Sequence, residues 1–131
     1  MAHVIIDTSV WIDYFHGALS PALKDVVMDL ILSRQAAITD VIRHELLVGT
    51  TSEREYEKME GRLSPLLEFQ MQTVFSQELN RFGFELNRMR LLGGYADVTI
   101  AFLGKKFEAP IFSFDRYFKK LAAKKVISTV E

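Results

Sequence analysis

Near its start the chain runs Val4-Ile5-Ile6-Asp7, three branched apolar residues leading straight into a carboxylate. A short run that is apolar at every position suits a strand covered on both faces, as in a parallel sheet held between helical layers. The pattern recurs. Ala36-Ala37-Ile38-Thr39 reads as a second strand, and Pro110-Ile111-Phe112-Ser113 as another, its proline acceptable at the first position. Further strands are expected near residues 69–74 and at Val126-Ile127-Ser128.

Helical signals fill the intervals. Ser20-Pro21 has a capping hydroxyl followed by a proline suited to the first helical position. Leu23, Val26, Val27, Leu30 and Ile31 follow at helical spacing and are expected to face the core. Asp40 reads as the cap of a helix carrying Ile42, Leu46 and Leu47 and ending at Gly49. Ser52-Glu53-Arg54-Glu55 has capping-box spacing. A longer helix presents Leu79, Phe82, Leu86 and Met89 on one face, and Gly93-Gly94 breaks it. The next starts near Ala96-Asp97, and Asp115 caps the last, with Tyr117, Phe118 and Leu121. Strands alternating with helices predict a three-layer α/β/α sandwich around a mainly parallel sheet of about five strands. No linker or repeat divides the 131 residues, so residues 1–131 are expected to form one domain.

Composition removes several classes of function. Hydrophobic residues make up 49% and charged residues 25%, which argues against disorder. With no cysteine, thiolate metal sites, disulfides and cysteine nucleophiles are excluded. His3, His16 and His44 lack the spacing of paired metal ligands, and no serine has nucleophile-elbow surroundings. No apolar run approaches bilayer length, and Asp7 and Asp13 interrupt the one stretch that could serve as a secretion signal. A cytoplasmic protein with no membrane partner is the expectation.

The acids then become informative. In a parallel sheet the ligand crevice lies beyond the carboxyl ends of the strands. Asp7 follows the first strand and Asp115 lies just past the run ending at Ser113, so both belong at that edge. Asp97 sits at a helix start, and Glu45 one turn into the helix after the second strand. Singly, each has an ordinary explanation as a cap, a dipole complement or a solvated side chain. Together they imply a repulsive cluster, since two like charges about 4 Å apart cost about 4 kcal/mol at an effective dielectric near 20. Bound protons or a hard divalent cation such as Mg²⁺ would relieve it. The formal net charge of -1 gives no global attraction for nucleic acid. Local cations answer this in part: Arg90 and Arg116 lie beside Asp97 and Asp115 in sequence and could contact phosphates, as could Arg43, Arg88, Lys119 and Lys120.

Asp7-Thr8-Ser9 after a buried strand, Glu45 in a mid-chain helix, Asp97-Val98-Thr99-Ile100-Ala101 and Ser113-Phe114-Asp115-Arg116-Tyr117-Phe118 together resemble the PIN-domain nucleases. The likeness is nearest to the VapC-type toxins of toxin–antitoxin pairs. It implies a metal-dependent endoribonuclease with RNA as substrate, Asp7, Glu45, Asp97 and Asp115 as the acidic quartet holding Mg²⁺ or Mn²⁺, and Ser9 and Ser113 as supporting polar residues. It also implies a homodimer and a cognate VapB-type antitoxin lying along helical grooves, with Trp11, Tyr14 and Phe15 as candidates for such contacts. Asp13 resembles an acid of the opening helix in some members. Val98-Thr99 departs from the small-then-aliphatic pair usual after the third acid. A catalytically silent PIN-like module binding RNA or protein is the alternative. Phosphoryl transfer through Asp7 is disfavoured, because Ser9 stands where the haloacid dehalogenase pattern places a second aspartate.

Overall fold

In the computed structural model, which describes residues 2–130, Val4–Ile6 forms β1 with all three side chains buried. The chain continues through α1 (Thr8–Phe15), α2 (Pro21–Leu32), β2 (Ala36–Thr39), α3 (Asp40–Val48), α4 (Glu53–Leu63) and β3 (Leu67–Phe69). A short 3-10 turn at Thr73–Phe75 leads to α5 (Ser76–Arg88), then α6 (Tyr95–Lys106), β4 (Ile111–Phe112) and α7 (Arg116–Ala123). The strands make one parallel sheet in the order β3-β2-β1-β4, flanked by helices as an α/β/α sandwich. Ile5 pairs with Ala37 on one side and Ile111 on the other, placing β1 at the centre of the sheet.

The core explains the continuous apolar runs. Ile5, Ile6, Ile38 and Ile111 are fully buried, because helices cover both faces of the strands that carry them. In α6 every residue from Val98 to Gly104 is buried. A Cβ added at Gly104 would lie 3.0 Å from Ile111 Cδ1 and 3.1 Å from Ala109 O, so the missing side chain lets α6 lie close against β4. Among the described residues no helix is long and apolar enough to cross a membrane.

Several expectations shift. The sheet has four strands, since the C-terminal segment contributes a single parallel bridge, Ile111 to Thr129. β4 is only two residues long and offers little edge to pair with; Ile111 N–H donates to Ser128 O and Val130 N–H to Ile111 O. The strand expected at residues 69–74 ends at Phe69. Beyond it, Met71 N–H turns away from the ladder to the Asp40 carboxylate, at 3.3 Å. In α2 only Val27 is fully buried, whereas Val26 is 39% exposed, so its apolar stripe is wider than the core it meets. Met89 lies past the end of α5 and is exposed.

The caps follow the sequence except at α3. Ser20 accepts from Leu23 N–H, Ser52 from Glu55 N–H, and Asp115 from Tyr117 N–H. For α3 the cap is Thr39, whose buried Oγ1 accepts from Ile42 N–H at 3.1 Å. Asp40 is the first helical residue, and its carboxylate is taken by Val41 N–H and Met71 N–H. Removing a hydroxyl cap while keeping side-chain volume costs about 1–2 kcal/mol. Thr39→Val is therefore expected to lower the unfolding free energy by that amount, measured by denaturant titration, with the loss centred on the start of α3. Asp40→Ala is expected to act instead on the segment after β3, read by faster amide exchange at Met71.

Candidate functional site

Asp7 directly extends β1. Its N–H donates to Phe112 O at 2.9 Å, so the β1–β4 ladder fixes its backbone. It occupies the cap position of α1, yet its side chain makes no capping bond. The buried carboxylate receives instead the Ser113 hydroxyl at 2.6 Å and, more weakly, the Ser9 hydroxyl at 3.4 Å, both on Oδ2. The helix-cap explanation thus holds for Asp115 and fails for Asp7.

The two serines also reach the opposite strand end. Ser113 Oγ accepts from Asp115 N–H at 3.0 Å, and Ser9 Oγ accepts from Phe114 N–H at 3.2 Å. Asp115 is exposed at the start of α7, with Oδ1 receiving Tyr117 N–H at 2.9 Å. Glu45 projects from α3 and is half-buried; its Oε1 accepts the Thr8 hydroxyl at 2.7 Å. Asp97 lies in the first turn of α6, half-buried. Asp7, Asp97 and Asp115 each stand at the N-terminal end of a helix, where the backbone dipole favours an anion.

These carboxylates feel one another. Burial raises the Asp7 carboxyl above its ordinary value, against the Ser113 hydrogen bond, and the charges of Glu45 and Asp115 raise it further. Asp97 is pushed up to about 6, first by desolvation and then by Asp115, Asp7 and Glu45. All four acids therefore share one electrostatic field. Among the described residues, however, no three His, Asp or Glu side chains converge tightly enough to hold an ion directly in common. The all-oxygen donor set fits a hard divalent cation that keeps much of its water and takes one or two direct carboxylates, as Mg²⁺ does. It does not form a closed cage.

Around the acids, Arg90 and Arg116 are exposed and neither forms an ion pair among the described residues. Arg43 is engaged by Glu68, which removes it from the set of free cations, whereas Arg88 stays exposed over the Phe84 ring with its nearest Glu85 oxygen 3.9 Å away. Asp13 is half-buried on α1, apart from these hydrogen bonds. Thr99, the departure from the usual pattern behind Asp97, is buried and donates its hydroxyl to Tyr95 O within α6 at 2.8 Å, so it is satisfied locally. Thr8 is the residue that sequence reasoning missed. Its only signal was a hydroxyl next to Asp7, because its partner Glu45 is remote in the chain. A groove of 390 Å³ between α1, α3 and α4, lined by Ile12, Phe15, Leu46, Met59 and Arg62, opens beside Glu45.

Comparisons with known proteins bear on the fold and the family. Solved structures similar to the chain include VapBC2 from Rickettsia felis bound to a promoter DNA fragment, at 16% identity and a TM-score of 0.78, covering 99% of this chain and 98% of that one. DNA-bound VapBC from Salmonella typhimurium matches at 21% identity with a TM-score of 0.74, covering 91% and 92%. A toxin–antitoxin complex from Klebsiella pneumoniae matches at 17% identity with a TM-score of 0.71, covering 96% of each chain. At such identities the likeness is one of fold. No curated protein sequence matches the chain. The family model of the PIN domain matches residues 4–124, from the first strand through the last helix, and the chain belongs to the PIN-domain family.

Proposed function

We propose that the chain is a divalent-metal-dependent endoribonuclease of the VapC type, the toxin of a toxin–antitoxin pair. The observation carrying this reading is the shared field of Asp7, Glu45, Asp97 and Asp115, with Asp97 pushed up to about 6 by burial and its acidic neighbours. Asp7, Asp97 and Asp115 would hold Mg²⁺ or Mn²⁺, directly or through waters, and Glu45 would add a ligand or orient the attacking water. When bound, the cation supplies Lewis acidity toward the phosphodiester and lowers the pKa of water.

The chain's own groups do the rest. Ser113 and Ser9 fix Asp7 by holding Oδ2. Thr8 holds Glu45 through Oε1, leaving Oε2 without a hydrogen-bond donor among the described residues and free to take a proton from water. Arg90 and Arg116 supply guanidinium groups for backbone phosphates, which position the strand without reading its sequence. A VapB-type antitoxin would lie along the groove beside Glu45 and cover the 43% exposed Ile12. The expected homodimer has an apolar face available around Phe84, Leu92 and Tyr95, all exposed where α5 and α6 meet. The looseness of the carboxylates favours one rival, a silent module that keeps the acids without binding metal.

Purified chain is expected to cut RNA with Mg²⁺ or Mn²⁺ and to stop with EDTA. Asp7→Asn is expected to lower the rate at least about a hundredfold, the scale of losing one electrostatic group in a transition state. Cleavage that survives chelation, or full activity in the folded variant, removes this reading; no metal binding by calorimetry supports the silent module. Co-purification with the product of an adjacent small reading frame tests the toxin assignment.

Stability gives a second, activity-free test. The folded Asp97 and Asp7 carboxyls are raised above their unfolded values, so between those values the native state binds more protons than the unfolded one. Without metal, the contribution of Asp97 is fully present below the unfolded carboxylate range and is lost as pH rises through about 6, and that of Asp7 runs in the same direction. Asp97 is partly solvated, which limits its share to on the order of 1 kcal/mol. Asp97→Asn is expected to raise the metal-free Tm near neutral pH by a few degrees and to flatten the slope in thermal melts with EDTA. Mg²⁺ is expected to stabilise the wild type more than the variant.

A further inference from the structure

Tyr117 bonds one acid of the cluster and the loop that leads to another. Its backbone N–H donates to Asp115 Oδ1 at 2.9 Å, and its hydroxyl donates to Leu91 O at 2.8 Å in the loop joining α5 to α6. Between those two points the ring lies flat on Gly93. A Cβ built there would stand 2.7 Å from the ring Cζ and 2.9 Å from Cε1, closer than any side chain allows. Gly93 is not one of the positive-φ residues, so glycine is required by space and not by backbone conformation.

The loop held in this way is the one that sets Asp97. Gly94 is the cap residue of α6 and has no side chain to bond the free N–H groups of the first turn, which contains Asp97. On its other side the loop is tied back to α5 by Leu91 N–H to Leu86 O at 2.8 Å. The start of α6 is therefore anchored from outside, and Tyr117 joins the loop that leads into it to the start of α7. One side chain thereby links the α7 terminus that presents Asp115 to the loop that leads into the turn carrying Asp97.

We propose that Tyr117, seated on Gly93, is a positioning residue that fixes the spacing of Asp97 and Asp115 for a cation. The proposal rests on the metal-binding reading given above, and it assigns Tyr117 no contact with substrate or ion. Tyr117→Phe keeps the ring and removes the hydroxyl that bonds Leu91 O; Gly93→Ala keeps the hydroxyl and displaces the ring. A single lost hydrogen bond corresponds to about a two- to tenfold change in an equilibrium constant.

The test uses the full chain and Mn²⁺ alone as probe, with binding read by electron paramagnetic resonance and folding by circular dichroism. Tyr117→Phe is expected to weaken Mn²⁺ binding by about three- to tenfold and Gly93→Ala by more, while Tyr56→Phe on α4 leaves it unchanged. A purely structural tyrosine would lower Tm and leave Mn²⁺ affinity intact. If folded Tyr117→Phe binds Mn²⁺ as tightly as the wild type, the positioning role is overturned and the metal reading stands. If the wild type itself binds no Mn²⁺, the metal reading fails and the positioning role fails with it. Should Gly93→Ala not fold, Tyr117→Phe alone decides.

Discussion

The hydrogen bond from Ser113 to Asp7, 2.6 Å long and joining residues 106 positions apart, is the interaction on which the candidate site depends. It forms only because β1 and β4 are neighbours in register, with Ile6 beside Phe112 and the Asp7 amide on Phe112 O. The same serine accepts the amide of Asp115. One hydroxyl thus ties the Asp7 carboxylate to the backbone of Asp115, and the helices that follow both acids leave the sheet at the same edge. Ser9 repeats the arrangement from the other side, donating to Asp7 and accepting from Phe114. Such charge-assisted bonds are stronger than neutral ones, and in a buried setting they offset part of the desolvation that raises Asp7.

The geometry of the candidate site depends on strand ends and helix starts more than on the identity of the core residues. The site needs a short buried strand that stops on an acid, a parallel neighbour that stops on a hydroxyl and an acid, and helices beginning at the same edge. None of these demands specifies the surrounding apolar residues beyond size and burial, so many cores satisfy them. The centre of the sheet shows the latitude: Ala37 and Ile111 flank Ile5, a small and a large residue in equivalent positions.

Much of this was legible in the sequence because it rests on local rules. A run apolar at every position predicts a doubly covered strand, and an acid after it predicts the ligand edge; Asp7 and Asp115 follow from those rules. Caps at Ser20, Ser52 and Asp115 follow from the hydroxyl or carboxylate preceding a helical pattern. What was not legible depends on partners remote in the chain. Thr39 rather than Asp40 caps α3 because the Asp40 carboxylate is drawn off by Met71. β3 ends early for the same reason. The fifth strand shrinks to one bridge because β4 is too short to support a ladder. Helical spacing in α2 marks an apolar face but cannot say whether this chain or a partner covers Leu32, which is 77% exposed. Thr8 and Tyr117 were invisible as site-building residues, since nothing near either one in sequence names Glu45 or Leu91 as its partner.

The division of labour within each carboxylate links fold to chemistry. Asp7 is held through Oδ2 by hydroxyls, Glu45 through Oε1 by Thr8, and Asp115 through Oδ1 by an amide. Each held oxygen fixes the rotamer at little electrostatic expense, because its donor belongs to a neutral group with no second role for its proton. Among the described residues the other oxygen of Glu45 and of Asp115 has no donor, and the Asp97 carboxylate has none. Protein donors thus orient the cluster without neutralising it. The remaining negative potential is what a hydrated divalent ion would discharge, and a phosphate could approach the acids only once that discharge has occurred. A pocket built this way repels any anion while its carboxylates are charged and unpaired, and the formal net charge of -1 gives no global attraction to offset that repulsion.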